Sequence, residues 1–180
     1  PPVTFPTLQR WHFLSALAVC GGVVLGLAHA FGPCTQDDAF ISLRYAQNLV
    51  DGNGLVYNPG ERVEGYTNLL WTLLLAVPLA VGADPVTSSA GLGLLHFLGA
   101  IGAAALVGRQ IAGRSWWALA PPVLVVLDPF ASLEAVEGLE TAQYMMVLAV
   151  GLWLFLRDQE REDAGWERFL PSSMVFALAA

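Results

Sequence analysis

Residues 34–66 read CTQDDAFISLRYAQNLVDGNGLVYNPGERVEGY. Asp37 and Asp38 are adjacent, Arg44 lies seven positions after the first of them, and Tyr45, Glu61, Arg62, Glu64 and Tyr66 follow in the same stretch. With arginines close by, the pair suits a site where an acid or a base works beside an anionic substrate. The plainer alternative is that the aspartates cap a helix and favour its positive end, worth about 0.3 to 1 kcal/mol each. A cap needs only one carboxylate, and here there are two. For Arg44 and Arg62 the plainer alternative is an interfacial anchor or a pair with a neighbouring Glu. A second group of acids, Asp128, Glu134, Glu137 and Glu140, stands further along the chain. Glu134 reads as solvated and Asp128, before Pro129, as the start of a loop. Glu137 and Glu140 flank Gly138 and Leu139, where a carboxylate could face the first acidic stretch.

Local elements position these residues. Thr35 and Asp38 have capping-box spacing, and "DGNG" at 51–54 supplies glycines that end a helix, so residues 37–51 read as a short amphipathic helix. Asp37 and Arg44 then share one face, as do Asp38 and Tyr45. Residues 55–66 carry Pro and Gly at the centre of a turn between β-prone pieces, which predicts a small hairpin. Residues 69–83 read as a helix lying in the membrane interface, capped by Thr67 or Asn68 and with Trp71 at headgroup depth.

The chain is 180 residues long, 56% hydrophobic and 13% charged, against roughly a quarter charged in an ordinary soluble domain. This predicts an integral membrane protein. Its net charge of −7 argues against a nucleic-acid surface. Apolar runs occur at 11–31, 69–83, 86–108, 116–133, 139–156 and from 169 onward. If all of them crossed, Arg109 and Arg114 would lie outside, against the positive-inside rule. Residues 69–83 are the weakest run, being short and interrupted by Pro78, so that run is expected not to cross. Spans are then expected at about 11–31, 86–108, 116–133 and 139–156, with a fifth starting at 169 and an outer loop at 32–85. Six of the eight arginines fall inside, and Arg44 and Arg62 fall outside. The fold class expected is an all-α polytopic bundle with two interfacial helices in its first outer loop. The run beginning near 169 stops almost at once, so residues 1–180 read as the N-terminal part of a longer protein.

Other residues invite blander readings. Cys20 and Cys34 would stand roughly 20 Å apart on a continuous helix, too far for a disulfide. His12 and His29 read as interfacial, and His96 as a hydrogen-bonded residue between helices. No His or Cys spacing suggests a metal site. Ser89 with Gly93, and Gly99 with Ala103, read as close helix packing.

The blocks DDAFISLRYAQNLVDGNGLVYNPGERVEGYTNLLW and VEGLETAQYMMVLAVGLWLFLR resemble the N-terminal membrane module of bacterial GT-C glycosyltransferases, nearest to the arabinofuranosyltransferase-like branch of that mannosyltransferase-like superfamily. The resemblance covers roughly residues 10–160. It implies a multi-pass enzyme of the bacterial plasma membrane that takes a sugar from a polyprenyl-phosphate donor and passes it to a glycan or lipid acceptor at the outer face. It also implies that the acidic pair, Asp37 and Asp38, carries catalysis. Arg44 and Arg62 are then expected to bind the donor phosphate, helped or replaced by a divalent cation, with Tyr45, Glu61, Glu64, Tyr66, Glu137 and Glu140 as supporting polar groups. A rival reading is a non-enzymatic polytopic protein, a transporter segment or an assembly subunit. It predicts charges buried within the spans, and the runs carry almost none.

Overall fold

A computed structural model describes residues 7–61, 63–160 and 165–178. Arg62, named above, lies outside the described residues, as does Arg161, one of the six arginines expected inside. The described chain is helical, and its one β-type contact is an isolated bridge between Thr7 and Ser115. The helices are α1 (Arg10–Phe31), α2 (Ala39–Val50), α3 (Leu69–Ala80), α4 (Pro85–Ala112), α5 (Ala120–Leu127), α6 (Pro129–Glu134), α7 (Thr141–Gln159) and α8 (Leu170–Ala177). Short 3₁₀ turns at Trp116–Leu119 and Trp166–Phe169 lead into α5 and α8.

Among the described residues two helices, α1 and α4, are long and apolar enough to cross a bilayer. At about 1.5 Å per residue the 12-residue α3 is about 18 Å long, too short to cross the roughly 30 Å hydrocarbon core by itself. The run at 116–133 does not form one helix. Asp128, forced out of helical geometry by Pro129, has φ −82° and ψ 107°, and its carboxylate accepts from the backbone N–H of Phe130 at 3.0 Å and Ala131 at 3.4 Å to start α6.

The helix α4 is the central post. It packs on α1, α3, α5 and α7, and its small residues let neighbours come close. A Cβ on Gly93 would collide with the carbonyl of Ala135, and one on Gly108 with that of Ala118. Of the small residues singled out in the sequence, Gly93 meets a neighbouring backbone, whereas a Cβ on Gly99 would meet the Met146 side chain. The helices α1 and α4 run antiparallel. At one end the Arg109 guanidinium sits 4.6 Å from the Phe13 ring centroid, and His12 stacks on Trp116 at 5.8 Å. At the other end Ala28 of α1, Ala90 of α4 and Val136 share an apolar cluster. That second end, where α1 finishes and α4 and α7 begin, receives α2 and the acidic stretch.

Trp71 departs from its expected place at headgroup depth. It is fully buried, its indole N–H donates to the Gly138 carbonyl at 3.2 Å, and its ring meets His96 edge-on at 5.8 Å. His96 spends its Nδ1 on the Leu92 carbonyl of its own helix, at 2.7 Å. The free thiols Cys20 and Cys34 are buried and exposed respectively.

Candidate active site

Helix α2 sets the acidic stretch. Its apolar side, Leu43 and Ala46, packs on Trp71, Leu75 and Leu79 of α3, and its polar residues Ser42, Tyr45 and Asn48 are buried as well. The expected capping box does not form. Asp38 holds the N-cap position, but with helical φ and ψ and no side-chain cap bond, and Thr35 Oγ1 is buried without a hydrogen-bond partner. The first turn of α2 is closed by backbone instead: the N–H groups of Ala39, Phe40 and Ile41 donate to the carbonyls of Gln36, Asp37 and Asp38, each at 3.1 Å. The carboxylates of Asp37 and Asp38 are exposed, and neither accepts a hydrogen bond or joins an ion pair among the described residues.

The second acidic segment reaches the first through Gln36. Its Nε2 donates to Glu137 Oε2 at 2.6 Å, its backbone N–H donates to the Glu137 carbonyl at 3.1 Å, and the Cys34 N–H donates to the Val136 carbonyl at 3.4 Å. Gly138, with φ +84°, lies under α2; a Cβ there would fall 2.9 Å from Ser89 Oγ and 3.2 Å from the Ala39 Cβ. Glu137 is buried. Desolvation lifts its carboxyl above the ordinary carboxylate range, the charge of Glu134 adds to the rise, and the Gln36 bond opposes it. So Glu137 does face the acidic pair's segment, as the sequence suggests, while Glu140 lines a separate cavity.

That cavity, about 450 Å³, opens between the start of α3, the start of α7 and the end of α8. Asn68, Glu140, Gln143 and Tyr144 give it polar groups, and Leu69 and Leu73 are among its apolar ones. Asn68 does not cap α3; its Nδ2 donates to Ser42 Oγ at 3.0 Å, and its Oδ1 accepts from Thr72 Oγ1 at 3.2 Å. Ser42 follows Asp38 by one helical turn, so the cavity lip is tied to the same face of α2.

Arg44 and Asp37 do not pair. The Arg44 Nε donates to the Tyr57 carbonyl at 3.2 Å, and the side chain borders a second cavity of about 570 Å³ together with Gln47, Tyr57 and Asp84. Asp84 caps α4, accepting from Thr87 N–H and Thr87 Oγ1, both at 2.9 Å, and these bonds hold its carboxyl below the ordinary range.

The hairpin expected at 55–66 is replaced by an irregular loop pinned from α2. Asn48 Nδ2 donates to the carbonyls of Val56 at 2.8 Å and Tyr57 at 2.9 Å. Tyr45, fully buried, donates its hydroxyl to the Val63 carbonyl and accepts from the Gly65 N–H, both at 2.9 Å. Side chains thus occupy backbone groups that a hairpin would pair across strands. The central turn survives, with Glu61 N–H donating to Asn58 O at 3.1 Å and Gly60 at φ +91°. Tyr45 is therefore a pin of the loop, flanked by the rings of Tyr57 at 5.8 Å and Tyr66 at 5.0 Å. Glu61 is exposed and accepts from Asn58 Nδ2 at 3.0 Å, and exposed Glu64 borders a shallow hollow beside Tyr66. Sequence reasoning missed Gln36, Asn48 and Asp84. A polar residue on the inner side of α2 marks Asn48, and Asp before Pro-Val-Thr marks the cap at Asp84. Nothing local marks Gln36, whose partner is 101 positions away.

These features define, among the described residues, an all-helical module of apolar helices with a loop that presents at one end a carboxylate pair with no described partner. The chain is similar to a terminal beta-(1->2)-arabinofuranosyltransferase of Mycobacterium tuberculosis, 36% identical over 128 residues that make up 67% of this chain and 20% of that protein. It is also similar to the Corynebacterium glutamicum protein of the same name, 56% identical over 36 residues, 20% of this chain and 5% of that protein. The chain therefore spans about a fifth of the length of its mycobacterial relative. No protein-family model and no solved structure matches it.

Proposed function

We propose that the chain is the N-terminal part of a GT-C glycosyltransferase of the bacterial plasma membrane, which transfers a sugar, arabinofuranose by analogy with its relatives, from a polyprenyl-phosphate donor to an envelope glycan or lipid at the outer face. The observation that carries this reading is the state of Asp37 and Asp38: exposed, and among the described residues neither capping the helix nor paired, on a segment fixed by neighbouring hydrogen bonds. A carboxylate with no protein hydrogen bond is free to accept the proton of a bound hydroxyl, as a general base must. The similarity to arabinofuranosyltransferases supports the reaction class.

In this reaction one aspartate takes the proton of the acceptor hydroxyl as its oxygen bonds to the anomeric carbon. The bond from that carbon to the phosphate oxygen breaks through an oxocarbenium-like state, and the polyprenyl phosphate leaves with the electron pair. Positive charge on Arg44 and Arg62 stabilises the departing phosphate. A divalent cation held near the acidic pair could share this neutralisation with the arginines. Outer-face action is supported by charge placement. Arg109 and Arg157 end α4 and α7 at the pole opposite the acidic stretch, as the positive-inside rule asks of a cytoplasmic side.

The test is transfer of labelled sugar from a polyprenyl-phosphate donor by the full-length enzyme carrying Asp37→Asn, Asp38→Asn or both. Loss of the base lowers turnover by roughly 10²- to 10⁴-fold while folding survives. Near-normal transfer by the double variant would remove the pair from the chemistry.

A further inference from the structure

We propose that Glu137 is a positioning residue: through Gln36 it latches the segment carrying Asp37 and Asp38 to the segment that opens α7. This rests on the function proposed above and goes further, assigning a task to a group outside the acidic pair.

The latch has three bonds within a few residues. Glu137 accepts from Gln36 twice, by carboxylate at 2.6 Å and by carbonyl at 3.1 Å, and Val136 accepts from Cys34 at 3.4 Å. Its far side is fixed as well, because the Gly138 carbonyl accepts from the buried indole of Trp71 and Gly138 fits against Ser89 of α4 and Ala39 of α2. The segment 136–138 is thus held by α3 and α4, and it holds residues 34–36 in turn. Asp37 and Asp38 come next in the chain and make no side-chain bond among the described residues. Their location is consequently set by what holds Gln36 and Ala39. The start of α2 has no side-chain cap, so this external tie is what joins it to the helices behind it. A buried carboxylate costs stability unless it accepts hydrogen bonds, and Gln36 is the side-chain partner that Glu137 has here. Its placement there is explained by the latch.

A misplacement of about 1 Å in a reacting group can cost roughly 10²-fold in rate. Two readouts are used on the full-length enzyme: steady-state sugar transfer, and the mobility of a spin label on Cys34, which is exposed and inside the latched segment. Glu137→Leu and Gln36→Leu should each lower kcat by about 10- to 100-fold with KM within about twofold, and the double variant should be no worse than either single one. Both should loosen the label. Glu137→Gln keeps an acceptor oxygen of the same reach and should restore an immobile label and turnover to within about fivefold. An immobile label in both Leu variants would overturn the latch. A loosened label with unaltered kcat would overturn its positioning role. If Glu137→Gln were as inactive as Asp37→Asn while its label stayed immobile, Glu137 would be an acid or base in its own right, and the inference would fall. A wild-type enzyme that transfers no sugar would overturn the proposed function and the catalytic half of the inference together, with the label still reporting on the latch itself.

Discussion

The Trp71 indole N–H donates to the Gly138 carbonyl at 3.2 Å across 67 positions of sequence, joining α3 to the loop that precedes α7. Both partners are buried, so loss of the donor leaves an acceptor without water or protein to meet it. Trp71→Phe should therefore destabilise the protein by about 1 to 3 kcal/mol. Trp71→Ala, which also empties the ring's place against His96, should cost about 3 to 5 kcal/mol. Thermal unfolding in detergent, with ligand-free protein, measures both. Equal stability of Trp71→Phe and wild type would show the bond to be dispensable.

Gly138 adds a separate constraint. Its φ of +84° and the nearness of Ser89 Oγ and the Ala39 Cβ leave no room for a side chain. Gly138→Ala should lower stability by about 1 to 3 kcal/mol and loosen the start of α2. Hydrogen exchange at residues 39–42 is the measurement, and unchanged protection there would count against the packing described.

The buried Glu137 predicts a pH dependence with a definite sign. Its folded-state pKa is raised above the ordinary 4.5, so between 4.5 and the folded value the native state binds more protons than the unfolded state. Stability should then fall as pH rises through that window. Glu137→Gln should flatten this part of the profile in Tm measured at closely spaced pH values. Asp84 has the opposite sign: its pKa is depressed from 3.8 by the Thr87 bonds, and what it contributes is lost as pH falls below that value. A slope that survives Glu137→Gln must come from another group.

Arg44 is expected to meet the donor phosphate. Arg44→Gln should raise the Kd for a polyprenyl-phosphate sugar by at least about tenfold, the loss of one charge-assisted contact. Its Nε bond to the Tyr57 carbonyl is a loop contact that Gln can approximate. Unaltered binding by a folded variant would make Arg44 a loop anchor.

Topology has a direct check. Ala83 is exposed just before α4, and Ser115 follows its end. In intact cells Ala83→Cys should react with a membrane-impermeant thiol reagent, and Ser115→Cys should react only after the membrane is opened. The reverse pattern would invert the orientation argued from the arginines.

Local rules were enough for much of this molecule. The apolar runs at 11–31 and 86–108 became α1 and α4 because a long apolar segment satisfies its backbone within itself, whatever surrounds it. The "DGNG" stretch ended α2 at Val50, with Gly52 and Gly54 at positive φ, because only glycine takes that geometry without strain. Asp128-Pro129 broke the run at 116–133, a signal present in the dipeptide itself. The chain position of Glu137 and Glu140 suggests that a carboxylate there could face the first acidic stretch, without saying which; Glu137 is the one that reaches Gln36. Tertiary structure alone decided the rest. Residues 55–66 have the turn and the β-prone flanks of a hairpin, but Tyr45 and Asn48 on α2 take the backbone groups a second strand would have needed. Trp71 reads as an interfacial tryptophan until α4 and the Gly138 carbonyl close over it. The link from Gln36 to Glu137 spans 101 positions. Periodicity and capping act over a few residues, whereas such a bond depends on how α1, α4 and α7 bring their ends together, and that is set by the fit of small residues such as Gly93 against a distant backbone.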